Sequence, residues 1–295
     1  MKNQRKQILL GMLLIGVLAL AGCGSAAEPL KEAVPEDSLA IDEVMWKANG
    51  ALKNTDSYRA EFSAKVEMAE GEPTVTEGRI SFVEEPLYMQ VDSETSFGDM
   101  KQESVVYLEE NGEKVDFYMS YNGQWTEMTM EKEDAVKNMQ IYHTLDNMIT
   151  LLTMAQDWQM EKENGNILEV SAVIPENRIY GIEAETRFFQ LAGLSGLSED
   201  YFYSMGDVPV RFTVDQKKQE MISYEIDLTK ALEAVTNNVL LELNGGTMAE
   251  GMTIESYIIS SQFTQLGDVE AEEIPAEAKD SAINYEEEFS LMAGE

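Results

Sequence analysis

From Tyr58 onward the chain alternates: Tyr58, Ala60, Phe62, Ala64, Val66 and Met68 are apolar or small, and Arg59, Glu61, Ser63, Lys65 and Glu67 between them are polar. A period of two sustained this long predicts a half-buried β-strand. The same alternation recurs over Thr74 to Val83, Leu87 to Asp92, Gln102 to Leu108, Lys114 to Tyr121 and Gln124 to Met130. Asn111-Gly112 and Asn122-Gly123 fall between such runs, where residues that accept positive φ fold one strand back on the next. The first half therefore reads as an antiparallel meander.

Helical spacing precedes and interrupts the strands. Leu39, Ile41, Val44, Met45, Ala48 and Leu52 predict a helix with Ser38 as its N-cap, and Lys132 to Asp157 carries Val136, Met139, Tyr142, Leu145, Met148, Leu152 and Ala155 along one face. A hairpin around Asn164-Gly165 follows, from Trp158 to Glu163 and from Ile167 to Ile174, then a second helical region from Glu176 to Leu191 that Gly193 and Gly196 close. Strands return at Val208 to Val214 and Glu220 to Asp227, a short helix runs from Leu228 into the Asn237 region, and a long strand covers Met252 to Leu266. From Gly267 onward the chain is acidic and aperiodic. The predicted class is α+β: a strongly curved antiparallel sheet, an incomplete β-barrel, with helices packed on its concave side because sheet edges and seams need covering.

The N-terminus follows a different pattern. Lys2, Arg5 and Lys6 precede a wholly apolar or glycine run from Ile8 to Leu20, which is a charged region followed by a hydrophobic one, as in a signal peptide. A span ending at Gly22 is short against the roughly 20 residues of a membrane-crossing helix. Leu20-Ala21-Gly22-Cys23 resembles the bacterial lipobox, and Cys23 is the only cysteine. That resemblance implies cleavage after Gly22 and a diacylglycerol-modified, further acylated Cys23 (palmitate-type chains), which anchors the protein to the cell membrane on its extracytoplasmic face. Two acyl chains on one residue hold durably where a single chain is marginal. The expected organisation is a lipoprotein signal peptide over 1–22, a lipidated N-terminus and flexible tether over 23–38, one domain over 39–280 and an acidic tail over 281–295. A tether of some 15 residues reaches roughly 20 Å.

Charge narrows the partners. The chain carries a formal net charge of −34, and loss of the three basic residues of the signal takes it to −37. Nucleic acid is excluded as a partner, since its recognition needs clustered Lys and Arg. Anionic headgroups repel such a domain, which leaves the lipid anchor as the membrane contact.

The helix leading into "SYRAEFSAKVEM", the hairpins of "VVYLEENGEKVDFYMSYNGQWTEMTM", the segment "VPVRFTVDQKKQEMISYEIDLTKAL" and the ending "IPAEAKD", together with the lipobox, resemble the LolA-like group of bacterial surface lipoproteins. That group includes LppX- and LprG-type carriers and the uncharacterised lipoproteins of Gram-positive bacteria, to which this chain looks nearest. The resemblance implies an incomplete barrel closed by helices around an apolar cavity that receives acyl chains.

Candidate chemistry is sparse. A nucleophile normally needs a base, usually histidine, and the single His143 reads as an ordinary, partly exposed helix residue. One His and one Cys do not furnish a zinc site. "DSETSFGDMKQE" spaces Asp92, Glu94, Ser96 and Glu103 in the manner of a calcium loop, with Phe97 where glycine is needed. No cofactor, metal or catalytic residue is nominated, and the expected protein is no enzyme. Methionine stands out instead, at 18 residues, and its unbranched, polarizable side chain adapts to irregular apolar ligands. Phe62, Met89, Met119, Trp125, Met128, Met139, Met148, Leu152 and Met205 are the candidate lining of an apolar cavity, or alternatively ordinary core. The expected function is binding or carriage of a lipid-like ligand; the alternative is an envelope module with a filled core that docks a membrane or cell-wall partner. No protein partner is identified.

Overall fold

The computed structural model describes residues 41–247 and 251–284. The signal region, Cys23 and the tether lie outside the described residues. Helix α1 (Ile41–Leu52) leads into β1 (Ser57–Met68), followed by β2 (Thr74–Val83), β3 (Tyr88–Phe97), β4 (Met100–Asn111), β5 (Lys114–Tyr121) and β6 (Gln124–Glu131). Helices α2 (Lys132–Met139) and α3 (Thr144–Met154) carry the chain to β7 (Gln156–Asn164) and β8 (Ile167–Ile174). Then come α4 (Ile179–Thr186), β9 (Val208–Asp215), β10 (Glu220–Asp227), α5 (Thr229–Leu243), β11 (Ile254–Leu266), α6 (Ala276–Ser281) and β12 (Ile283–Asn284).

All twelve strands among the described residues form one sheet in the order β12-β6-β5-β4-β3-β2-β1-β11-β10-β9-β8-β7. Two antiparallel meanders, β1 to β6 and β7 to β11, are thus joined side by side where β1 pairs with β11, Phe62 opposite Ser261. The only parallel pair among the described strands is the edge contact of β12 with β6. Asn-Gly marks each predicted turn. Asn122 and Gly123 both take positive φ between paired Tyr121 and Gln124, whereas at the other two sites the asparagine is the last paired residue and Gly112 or Gly165 opens the turn.

The helices pack against one face, as the class α+β expects. One apolar cluster collects the inward positions of β1 to β5 and β8 to β11 together with buried residues of α1 to α5. A sheet of this width twists into a saddle. Its hollow on one face holds the helices; along the other diagonal the polar face is hollow as well.

Two helical regions are more broken than periodicity predicts. The span expected over Lys132 to Asp157 divides into α2, a 3-10 turn at Gln140–Tyr142 and α3, and β7 already starts at Gln156. The span expected from Glu176 is interrupted at Arg187, whose φ of 55° ends α4 before a second 3-10 turn, Phe188–Ala192. Each break turns a different apolar side toward the curved sheet, which one straight helix could not follow.

The tail is not aperiodic in structure. Val269, Ile274 and Ala278 lie on the polar face, over Val83, Tyr88, Tyr107 and Tyr118. Arg59 meets Glu272 at 2.6 Å, and Lys279 meets Glu109 at 2.6 Å. Burial under this strap pushes the phenols of Tyr88, Tyr107 and Tyr118 above their usual range. Few backbone hydrogen bonds tie it down: Val269 N donates to Ser57 Oγ at 3.2 Å, and β12 covers two residues. Ile274→Asp is therefore expected to lift the strap, which raises acrylamide quenching of Trp125 in a Trp46→Phe, Trp158→Phe background and leaves the main unfolding transition in place.

Candidate functional site

Alternation decides which candidate residues meet. Phe62, Met89, Met119 and Met128 project from β1, β3, β5 and β6 onto the helix-covered face, in register through Phe82↔Met89, Met89↔Leu108, Val106↔Met119 and Phe117↔Met128. Met139 of α2, Met148 and Leu152 of α3, and Met205 before β9 are buried in the same cluster, against which Met119 and Met128 are half-buried. Trp125, expected in the same lining, is the exception. It stands three residues from Met128 on one strand, an odd spacing that puts it on the opposite face, stacked on Tyr107 at 5.9 Å beneath the strap.

Above Phe62 lies Tyr142, edge to face at 5.5 Å. Neighbouring His143 is not a partly exposed helix residue; it is 8% exposed, between α2 and α3, with its ring 4.3 Å from that of Phe82. Burial lowers its pKa, outweighing the Asp146 carboxylate at 3.4 Å, so the imidazole is neutral at pH 7. Arg187 turns the cover segment back on itself, and the buried Glu183 accepts the Phe189 amide at 2.9 Å inside that turn. The Tyr257 hydroxyl donates to the Phe188 carbonyl from the sheet. Burial pushes the Glu183 carboxyl up to about 8, which keeps it protonated at neutral pH.

At one end the helices stop short of the sheet. The β1–β2, β3–β4 and β5–β6 turns share that end, and the inward positions there are Met68, Phe97, Met100 and Tyr121. Met100 is 66% exposed and Tyr121 is 52% exposed. Helix α5 runs past the start of β11, where Asn237 brackets Met252 with hydrogen bonds of 2.7 and 3.0 Å, and ends on the exposed Leu243. Between the covered centre and this uncovered rim the same face carries Ser93, Thr95, Gln102 and Ser104, and Thr76 Oγ1 lies 2.9 Å from Thr95 Oγ1.

The polar face holds a trough of about 1580 Å³ that reaches from β4 to β7. Ten carboxylates and two guanidinium groups border it. The arginines are already paired, Arg79 with Glu61 at 3.4 Å and Arg211 with Glu225 at 3.0 Å. Hydroxyl and amide side chains form its floor, with Ser63 opposite Ser260, Ser223 opposite Gln262 and Thr213, and Ser171 opposite Arg211. Asp92, Glu94 and Glu103 stand on the β3–β4 hairpin, not in a calcium loop. Among the described residues no group of three or more His, Cys, Asp or Glu is placed to hold a metal ion, and no helix is long and apolar enough to cross a membrane.

A family model matches residues 40–173. Its description is a family of unknown function, DUF6612, and the match runs from the start of α1 through most of β8. No curated protein is significantly similar in sequence. Solved structures similar to the chain include LprF from Mycobacterium bovis, at 9% identity over 80% of this chain and 96% of that one with a TM-score of 0.41. A LolA superfamily protein from Nitrosomonas europaea matches at 7% identity over 81% and 96%, TM-score 0.24. A β-barrel-like protein of a domain of unknown function from Brucella abortus matches at 7% identity over 73% and 99%, TM-score 0.22.

Proposed function

We propose that the protein is a non-enzymatic lipoprotein, tethered through Cys23 to the extracytoplasmic face of the membrane, that binds a lipid-like ligand between sheet and helices. The observation that carries this reading is the buried apolar layer around Phe62, Met89 and Met148, against which Met68 and Met119 are only half-buried, Met119 standing two residues from the exposed Tyr121 at the rim. An acyl chain entering at the rim would gain about 25 cal/mol per Å² of apolar surface removed from water. Side chains fill the centre of the layer, so entry requires the short helices α2 and α3 to swing outward. Short, broken cover elements cost less to displace than one long helix, and methionines re-pack around an irregular guest.

Native mass spectrometry of residues 23–295 carrying Cys23→Ser, after gentle purification and incubation with membrane lipids, tests this. A reproducible adduct of lipid mass is expected, and Met148→Trp, which overpacks the already filled centre, is expected to abolish it while circular dichroism shows the fold retained. A bare protein mass under both conditions would overturn the reading. The second reading, a docking module with a permanently filled core, is favoured by the trough on the polar face.

A further inference from the structure

We propose that the trough on the polar sheet face is a docking site for an extended, lysine- and arginine-rich polypeptide. This goes beyond lipid binding and holds whether or not the apolar layer opens. A β-sheet face this broad is ordinarily either covered or studded with long side chains. Here the strap covers only the end of the β2 to β6 polar face at Val83, Tyr88, Tyr107 and Tyr118, and the helices take the opposite face, yet the polar face from β4 across β1 to β7 is left uncovered with a floor of serine, threonine and glutamine.

Three features select the occupant. Size is the first: about 1580 Å³ exceeds the roughly 300–1,000 Å³ usual for small-molecule pockets, and the length from β4 to β7 fits a polymer. Charge is the second. Glu77 and Glu103 stand on one wall and Glu161 and Glu169 on the other, so a chain lying along the floor has carboxylates on both sides; clefts lined by one sign concentrate the opposite charge. The two arginines offset Glu61 and Glu225, and Lys162 and Lys101 offset Glu169 and Glu94, which leaves the ten carboxylates of the trough in excess by six. Surface chemistry is the third. Phe62, Phe212 and Tyr224 border the trough but belong to the buried apolar layer on the other side, so the floor offers no aromatic platform for stacking sugar rings. Serine and glutamine side chains can instead hydrogen-bond the backbone of an extended peptide.

Charge complementarity acts mainly on the rate of encounter and on partner choice, and exposed pairs are individually weak. The predicted complex is therefore fast, salt-sensitive and dependent on several carboxylates together. The probe is a fluorescent oligolysine of about ten residues, long enough to cross several strands at the spacing of roughly 4.8 Å, titrated into residues 23–295 carrying Cys23→Ser. The triple variant Glu77→Gln, Glu103→Gln, Glu161→Gln is expected to bind roughly tenfold more weakly. A control triple at exposed positions outside the trough, Glu72→Gln, Glu113→Gln, Asp280→Asn, removes the same net charge and is expected to bind like the parent. Circular dichroism confirms that both fold. Equal weakening by the two triples would show that the probe reads only net charge and would overturn the proposal. So would an unbound probe at low salt, or soluble cell-wall glycan binding in the trough in place of the peptide.

Discussion

Replacing Glu183 by Gln raises the unfolding free energy at pH 9 by roughly 3–5 kcal/mol and leaves it almost unchanged near pH 4. The carboxyl is buried where the cover segment reverses at Arg187, and it accepts the Phe189 amide at 2.9 Å. Burial raises its pKa to about 8, against an opposing pull from that amide and from the Arg187 guanidinium. In the unfolded chain the same group titrates near 4.5. Between these values the folded state binds more protons than the unfolded one, so stability falls as pH rises. The contribution is complete below the unfolded value, is lost progressively as pH climbs to about 8, and stays lost above. Glutamine keeps an acceptor for Phe189 without a charge to bury, so the fall in stability that Glu183 causes across that window is absent from its pH profile. Urea titrations of parent and variant at pH 4, 6, 8 and 9 check it; parallel curves for the two proteins would place Glu183 in contact with water.

The effect bears on function through what Glu183 holds. Phe188 and Phe189 are buried in the apolar layer, and Tyr257 ties the Phe188 carbonyl to the sheet. Ionising Glu183 inside that turn weakens the cover over the layer, so a lipid-like ligand is expected to exchange faster above pH 8 in the parent and at a constant rate in the glutamine variant.

Much of this arrangement is legible in the sequence, and the limits are physical. Alternation located each of the long strands, because a strand that is buried on one side must alternate. It also contained the correction for Trp125, since an odd spacing from Met128 excludes a shared face. Local pattern does not report where a strand lies in the sheet. The seam of β1 with β11 joins residues some two hundred positions apart, as when Ser261 Oγ donates to the Glu61 carbonyl, and no short window contains it. The saddle, and with it the trough, is a sum of small twists over many strands. The strap leaves no periodic signal, because Val269, Ile274 and Ala278 are too sparse for either period. His143 was misplaced for a related reason: a break between two helices looks like one continuous helix when both sides keep an apolar face.

Gly78→Ala is expected to destabilise the protein by about 3 kcal/mol, opposite in sign to the usual effect of this substitution. Alanine in a strand normally gains up to about 1 kcal/mol over glycine, which loses more backbone entropy on folding. At Gly78 an added Cβ would lie 2.5 Å from the Asp92 carbonyl oxygen on β3 and 2.5 Å from Cε1 of Phe62 on β1. The carbonyl belongs to the sheet ladder, where Gly78 stands between Phe62 and Ser93. It cannot withdraw without opening the β2–β3 pairing. The Phe62 ring covers the glycine and is held from above by Tyr142. Overpacking of this kind costs typically 1–3 kcal/mol and occasionally more. A Phe62→Leu partner change separates the two clashes. The ring contact is then gone while the carbonyl contact stays, so the double variant should recover only part of the loss, with a coupling of about 1 kcal/mol between the sites. Urea unfolding of the four proteins measures it. Full recovery would mean that Phe62 alone fixes the glycine, whereas the absence of coupling would mean that the backbone of β3 does, and with it the wall that Asp92 and Glu94 give to the trough.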